Sequence, residues 1–451
     1  MKDKRLRLWG AADIGEGFIA TVTNTFFAMF LTDVARLPLG FVSVVMMITS
    51  IFDFVAAPVA GGIIAASKPG KWGRLRSWFV FMPAITIVAY VVCFIPLSSP
   101  ALSVVVITLG YSIARGAYNV SWAANLSLIG VIADTPSLQT KLTSQRMAGF
   151  NIGKLSSGYV TPMLVAVFAS QFGDRYSYSV MMFVAGVVLA AGYVVHFFIS
   201  AGYEKSGSEY QVSEENQHVG LKEIIMALVA NPQLLITVCV DLTSNMGSFL
   251  LPALATYYYK YVAQDMGLMS LHMLLTGFGG LAGNLLIRAM GDKIKDHRRF
   301  LLLLYPVIAA ILFSCRFVAG LPVVFLAFNV VCQTITATTQ PLELQLYMDN
   351  VVYHKYKTGV DANSFIMSMC NVSVKLATVL KSMIIPFVLM TAGYVAGADP
   401  TPQLQKGIVN AYTIIPALIP LVGFILLKFF YKLKREDVAR MKRELEEQEK
   451  A

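Results

Sequence analysis

Apolar residues in this chain fall into long blocks separated by short polar turns. The blocks cover 9–33, 39–66, 77–97, 101–130, 146–171, 177–200, 233–260, 266–290, 299–318, 321–347, 361–396 and 408–431. A helix needs roughly 20 mostly apolar residues to cross a bilayer. Hydrocarbon offers no partner to an unpaired amide, so each block is predicted to be helical. The alternating strands of a membrane barrel, roughly ten residues each, do not occur. The pattern predicts an all-α membrane protein of about twelve transmembrane helices.

The connections alternate in basic content. One set carries Lys2, Lys4, Arg5 and Arg7, then Lys68, Lys71, Arg74 and Arg76, then Lys141, then Lys205 and Lys222. It continues with Lys293, Lys295, Arg298 and Arg299, then Lys355 and Lys357, then the tail from Lys432 to Lys450. The opposite set holds little beyond Arg36, Arg175, Lys260 and Lys406. Basic loops stay inside, which places both termini in the cytoplasm and the chain in the cytoplasmic membrane. The first block holds Asp13 and Glu16 and runs on to Asp33 without a small-residue cleavage site, so it reads as a span rather than a signal peptide.

One long connection, 201–232, is polar over Tyr203–Gln217 and amphipathic over Leu221–Val229. It divides the chain into two six-helix halves, 1–200 and 233–431, followed by a charged tail at 432–451. The halves echo one another: GGIIAASKPGKWGRLRSWF at 61–79 and GNLLIRAMGDKIKDHRRF at 283–300 both run from an apolar helix through glycine into a basic turn. Paired six-helix halves are the plan of a major facilitator transporter, with its site at the midplane between them.

Composition sharpens this reading. Hydrophobic residues make up 56% and charged residues 14%, against about 25% charged in soluble domains. The net charge of +10 resides at block ends, not on a face that would suit nucleic acid. The five cysteines, Cys93, Cys239, Cys315, Cys332 and Cys370, lie within apolar blocks and read as packing residues. The five histidines are scattered. No metal or nucleophile motif appears at a block end, so neither an enzyme, a metal site nor a cofactor is expected.

Ionisable groups inside spans are expensive and mark functional sites by default. Here they are Asp13, Glu16, Asp53, Arg115, Arg146, Lys154, Asp241, Glu343, Lys375 and Lys381. The bland alternative is that they pair and only fix helix packing. Arg115, Asn119, Trp122 and Asn125 recur at helical spacing and share a face too polar for lipid. Asp13 and Gly17 share a face of the first span, where the glycine leaves room beside the carboxylate. An aromatic platform with such donors and acceptors suits a hydroxylated ring.

Several tracts carry a resemblance. TDV at 32–34, IFDFVAAP at 51–58, KWGRLRSW at 71–78, MDNVVYHKYKTG at 348–359 and AGY at 392–394 resemble, in order, the glycoside–pentoside–hexuronide:cation symporter family, a branch of the major facilitator superfamily. NPQLL at 231–235 and YYYKYV at 257–262 fit its seventh span. The resemblance implies a symporter of the superfamily's twelve-helix fold, moving a sugar, glycoside or sugar acid by alternating access. Asp53 then matches the first carboxylate of the family's cation tract and Asn119 a cation-site position. Arg146 and Lys375 match sugar-side basic residues.

The departures matter too. The family's second cation carboxylate falls on Ala57 and its asparagine on Ala56, and two sugar-binding aspartates fall on Gly17 and Trp122. Sodium wants several oxygen ligands, and Asp53 with Asn119 is a thin set. The expected coupling ion is therefore the proton, with facilitation the alternative, and Asp53 would carry the proton while pairing with Lys375 or Arg146. Arg115, Arg146 and Lys375 without the aspartates shift the cavity towards positive, which suits an anionic glycoside stacking on Trp122. The basic turns at 68–76 and 293–299, with Asp292 and the 348–361 loop, are candidates for gate ion pairs or plain topology signals. An efflux antiporter, a lysolipid transporter and a membrane sensor remain as alternatives.

Overall fold

Helices form wherever the apolar pattern predicts them. The computed structural model describes residues 5–68, 70–204, 231–290, 294, 296–359, 362–395 and 400–450. The segment 205–230 lies outside the described residues, and with it Leu221–Val229, as do Lys2, Lys4, Asp292, Lys293, Lys295 and Asp361. In chain order the apolar helices are α1 Leu6–Val34, α2 Leu39–Ile64, α3 Trp78–Cys93, α4 Pro100–Ile132, α5 Pro136–Phe172 and α6 Asp174–Ile199. Then follow α7 Pro232–Val262, α8 Met266–Met290, α9 His297–Ser314, α10 Pro322–Thr358, α11 Phe365–Thr391 and α12 Pro402–Phe430. Among the described residues eleven are long and apolar enough to cross a membrane, and α3 is the shorter twelfth. The tail forms α13, Arg435–Lys450. The described residues contain no strand, only a single bridge between Gly70 and Gly73.

Three boundaries differ from expectation, each for a local reason. The fifth helix starts at Pro136, ten residues before the apolar block, because Thr135 accepts from the Leu138 amide at 3.3 Å and proline suits the first helical position. The twelfth starts at Pro402 behind a Thr401 cap of the same kind. The tract at 348–359, read above as a loop, is helix as far as Thr358. It contains no breaker until Gly359, whose φ of 71° closes the last turn.

The surface is inverted relative to a soluble protein. Phe317, Leu303 and Val88 are 76%, 66% and 65% exposed, while Asp13, Glu16, Asn125 and His196 are 0% exposed. Apolar outside and polar inside is what a lipid solvent selects.

The chain forms two compact units. The first comprises Met1–Ser213, Asp265–Leu274 and Ser382–Asp399. The second comprises Glu214–Gln264, Leu275–Lys381 and Pro400–Ala451. In the first, α1 packs on α5 and α6, α4 packs on α2 and α3, and α3 packs on α6. The α1–α5 seam is lined by glycines. A Cβ built on Gly17 would run into the Phe150 carbonyl, and one on Gly153 into the Ile14 carbonyl, so only hydrogen allows this backbone approach. In the second unit, α7 and α9 pack on α12 and on α10. There α13 lies against α10, where the Tyr356 hydroxyl donates to Glu444 at 2.8 Å.

Candidate functional site

Most ionisable side chains inside the helices of the first unit sort into two groups, with Lys154 of α5 in neither. The first joins α2 to α4. Arg115 Nε donates to Asp53 Oδ1 at 2.8 Å and Nη2 to Oδ2 at 3.3 Å, a two-pronged contact that fixes both planes. Asn119, one turn further along α4, donates to the same Oδ1 at 2.9 Å. The Tyr118 ring lies under the guanidinium at 4.8 Å. This is the helical stripe expected from sequence, with its first two members turned to α2.

The second group is built on α1. Asp13 and Glu16 stand one turn apart and share a single guanidinium from α5. Arg146 Nε lies 2.7 Å from Asp13 Oδ1, and Nη2 lies 3.6 Å from Glu16 Oε2. Asn125 of α4 donates to Asp13 at 3.4 Å, and its oxygen faces His196 Nδ1 of α6 at 3.1 Å. The Tyr193 hydroxyl donates to Glu16. Trp9 stacks on His196 with ring centres 4.6 Å apart. Trp122 lies under Arg146 at 4.7 Å and meets Phe150 edge-on at 5.7 Å. The stripe's last two members, Trp122 and Asn125, thus serve α1 and α5 rather than α2.

These contacts bear on three expectations. Of the two partners expected for Asp53, Lys375 and Arg146, the second is taken here by Asp13 and Glu16, and Arg115 is the guanidinium that meets Asp53. In the first unit Arg115 and Arg146 meet three carboxyl groups, so the expected positive shift from these two side chains is offset there. The space at Gly17 is filled by the α5 backbone and is not open beside Asp13. Lys375 sits half-buried on α11 in the second unit.

Some participants were not assigned from sequence. Glu16 was recognised as a buried charge without a role. Tyr193 and His196 sit on an apolar span with no motif around them. Their spacing of three residues on an apolar span was the signal available. Several buried polar atoms in these groups make no hydrogen bond: Asp13 Oδ2, Arg146 Nη2, Arg115 Nη1 and His196 Nε2. Water-excluded donors and acceptors of this kind bond strongly to a polar group that reaches them.

The basic turn after α2 holds itself together by capping helices. Arg74 donates through Nε and Nη2 to the Ile64 carbonyl at 3.0 and 2.9 Å. Arg76 Nη2 donates to the Phe197 carbonyl at 2.7 Å. Glu204 accepts from the amides of Leu75 and Arg76 at 2.7 and 3.2 Å. Gly73, at φ 103°, leaves the room that the Glu204 carboxylate occupies.

Comparison with known proteins places the chain in a family. Residues 8–435 match the family described as MFS/sugar transport protein. The chain is 22% identical over 439 residues to a glucuronide carrier protein homolog of Escherichia coli (strain K12), covering 94% of this chain and 91% of that protein. It is 23% identical over 425 residues to the isoprimeverose transporter of Lactiplantibacillus pentosus, covering 92% and 85%. Its fold is similar to the crystal structure of a D-xylose-proton symporter, with a TM-score of 0.66 at 12% identity over 97% of this chain and 98% of that one. With buried charges grouped inside twelve apolar helices and a match over nearly its whole length, the chain belongs to the MFS/sugar transport protein family of the major facilitator superfamily.

Proposed function

We propose that this protein is a secondary transporter of a sugar, glycoside or sugar acid, working by alternating access and coupled to protons, or facilitative, rather than coupled to sodium. The observation that carries the coupling is the state of Asp53. Both of its oxygens already accept from Arg115, and one also from Asn119. A sodium ion would have to displace those donors, and Ala56 and Ala57 supply no side-chain oxygen in their place. A proton needs only one lone pair and a transient loosening of the Arg115 contact.

The solute reading rests on the buried polar atoms that lack partners around Asp13, Arg115 and Arg146, beside the Trp122 ring. A polyhydroxylated ring carries donors and acceptors that match such atoms. The sugar-acid variant is supported by the likeness to the glucuronide carrier homolog. The alternating basic turns favour cytoplasmic termini, with the chain in the cytoplasmic membrane. Solute and proton must each bind the two end states with different affinity, or neither shifts the equilibrium.

The test is uptake by purified protein in sealed vesicles, using a panel of labelled sugars, glycosides and uronides. Runs are made with and without a sodium gradient, and with and without a pH gradient. Uptake that follows the pH gradient, or runs downhill under both conditions, supports the reading. Strong sodium stimulation overturns the coupling, and failure of every sugar derivative to enter overturns the substrate class.

A further inference from the structure

Two carboxyl groups in the second unit lie on the seam of α7 and α10 without belonging to the groups described above. Asp241 on α7 and Glu343 on α10 are 8% and 1% exposed. Asp241 and Ser244 stand one turn apart on α7, and Glu343 and Tyr347 one turn apart on α10; Ser244 donates to Glu343 while Tyr347 donates to Asp241, which sets both carboxyl groups on one seam. Around them the donors are neutral. Asp241 accepts from Asn245 at 2.8 Å, from the Tyr347 hydroxyl at 3.0 Å and from Ser373 of α11. Glu343 Oε1 accepts from the Tyr305 hydroxyl of α9 at 2.7 Å and from Ser244. Thr339 closes the ring through Ser244 at 3.5 Å.

One atom in this ring is left over. Glu343 Oε2 is buried and has no donor, although its partner oxygen has two. An unpaired anionic oxygen held beside a second carboxyl group in a low-dielectric interior is costly. Two carboxylates buried on one seam repel when both are ionised, and a shared proton removes the repulsion while supplying the missing donor.

The remaining neighbours do not change this. α11 brings Cys370 with Ser373, and carries Lys375 and Lys381 further along its length. From α12 the approach is made by Gly423, against Thr243 and Tyr305.

We infer that Asp241 and Glu343 form a proton-binding site of the second unit, distinct from Asp53. The proton enters from water onto Glu343 Oε2, is shared with Asp241, and returns to water when the pair is rehydrated in the other transport state. The bond formed and later broken is O–H, and no other group changes oxidation or connectivity. This assignment rests on the reading of the chain as a proton-coupled transporter and gives its proton a second place to sit. Were the chain a facilitator, the same pair would hold a structural proton that never exchanges.

Infrared difference spectroscopy of purified protein, titrated from acid to alkaline solution in water and in heavy water, reads this site without needing a transported solute. The expected result is a protonated-carboxyl carbonyl band that shifts in heavy water and disappears on alkalisation. That band should be lost in Glu343→Gln and displaced along the pH axis in Tyr305→Phe. Vesicles carrying Glu343→Gln should lose the response of uptake to a pH gradient. A band that survives unchanged in both Glu343→Gln and Asp241→Asn overturns the assignment, as does a band abolished by sodium at constant pH. A band that never titrates, with no heavy-water shift, overturns the exchanging proton. If Glu343→Gln does not fold, Tyr305→Phe and Asp241→Asn decide alone. Should no sugar derivative be transported, the proposed function fails while the infrared result stands separately.

Discussion

Arg115 and Asp53 meet at 2.8 Å across the contact between α2 and α4, with side chains only 13% and 5% exposed. A buried ion pair of this kind contributes little net stability against an apolar pair of the same shape, but removing one partner strands the other. Arg115→Ala is therefore expected to destabilise the protein by about 3–5 kcal/mol. Neutralising both, with Asp53→Asn and Arg115→Gln together, should recover most of that loss. Thermal unfolding of the purified variants in detergent checks both statements, and a double variant no better than Arg115→Ala would show that the pair is not the unit that matters.

Arg146 serves two carboxyl groups from one fork, through Nε to Asp13 and through Nη2 to Glu16. A lysine keeps the charge but cannot reach both in that geometry. Arg146→Lys should lose one charged contact, worth about 1.5–3 kcal/mol, and uptake is expected to fall by about tenfold or more. Initial-rate uptake in vesicles measures it. Wild-type rates in Arg146→Lys would mean that the fork is dispensable.

The fold was readable from these positions to a large degree, and the site only to a lesser one. Spans are set by local hydropathy, which a single sequence displays, so α8 was placed at 266–290 as found. The helical ends were harder. Pro136 and Thr358 extend helices into polar sequence, where capping and packing decide the boundary and hydropathy says nothing. Periodicity found the stripe on α4, because spacing along one helix is a sequence property. Which helix each member faces is not: Asn119 turns to Asp53 and Asn125 to Asp13 because α4 crosses both α2 and α1. Gly17 shows the limit most plainly. Absence of a side chain reads equally well as room for a solute or room for a neighbouring backbone, and only the position of Phe150 tells them apart.

That same position makes a third expectation. Gly17→Ala puts a methyl group into the Phe150 carbonyl, so α1 and α5 must separate along a seam where Gly153 is equally tight. Overpacking costs typically about 1–3 kcal/mol. Thermal unfolding should show a lowered transition in Gly17→Ala. Gly40→Ala serves as the control, since nothing lies within 4 Å of its Cβ position. Equal effects of the two substitutions would remove the seam from the explanation.

Glu204 clamps the basic turn by accepting two backbone amides. Hydrogen bonds to a charged group are worth about 1.5–3 kcal/mol each. Glu204→Ala should therefore raise local opening of residues 70–77 by about tenfold or more. Trypsin cleavage after Lys71, Arg74 or Arg76 reads this directly, and an unchanged cleavage rate would mean that Arg74 and Arg76 hold the turn unaided.

The first unit takes in Asp265–Leu274 and Ser382–Asp399, stretches that the ribosome makes long after α6. The Tyr394 hydroxyl donates to Asp33 at 2.6 Å, joining residues near opposite ends of the message. The contact between Asp33 and Tyr394 therefore forms only after the eleventh helix has been made.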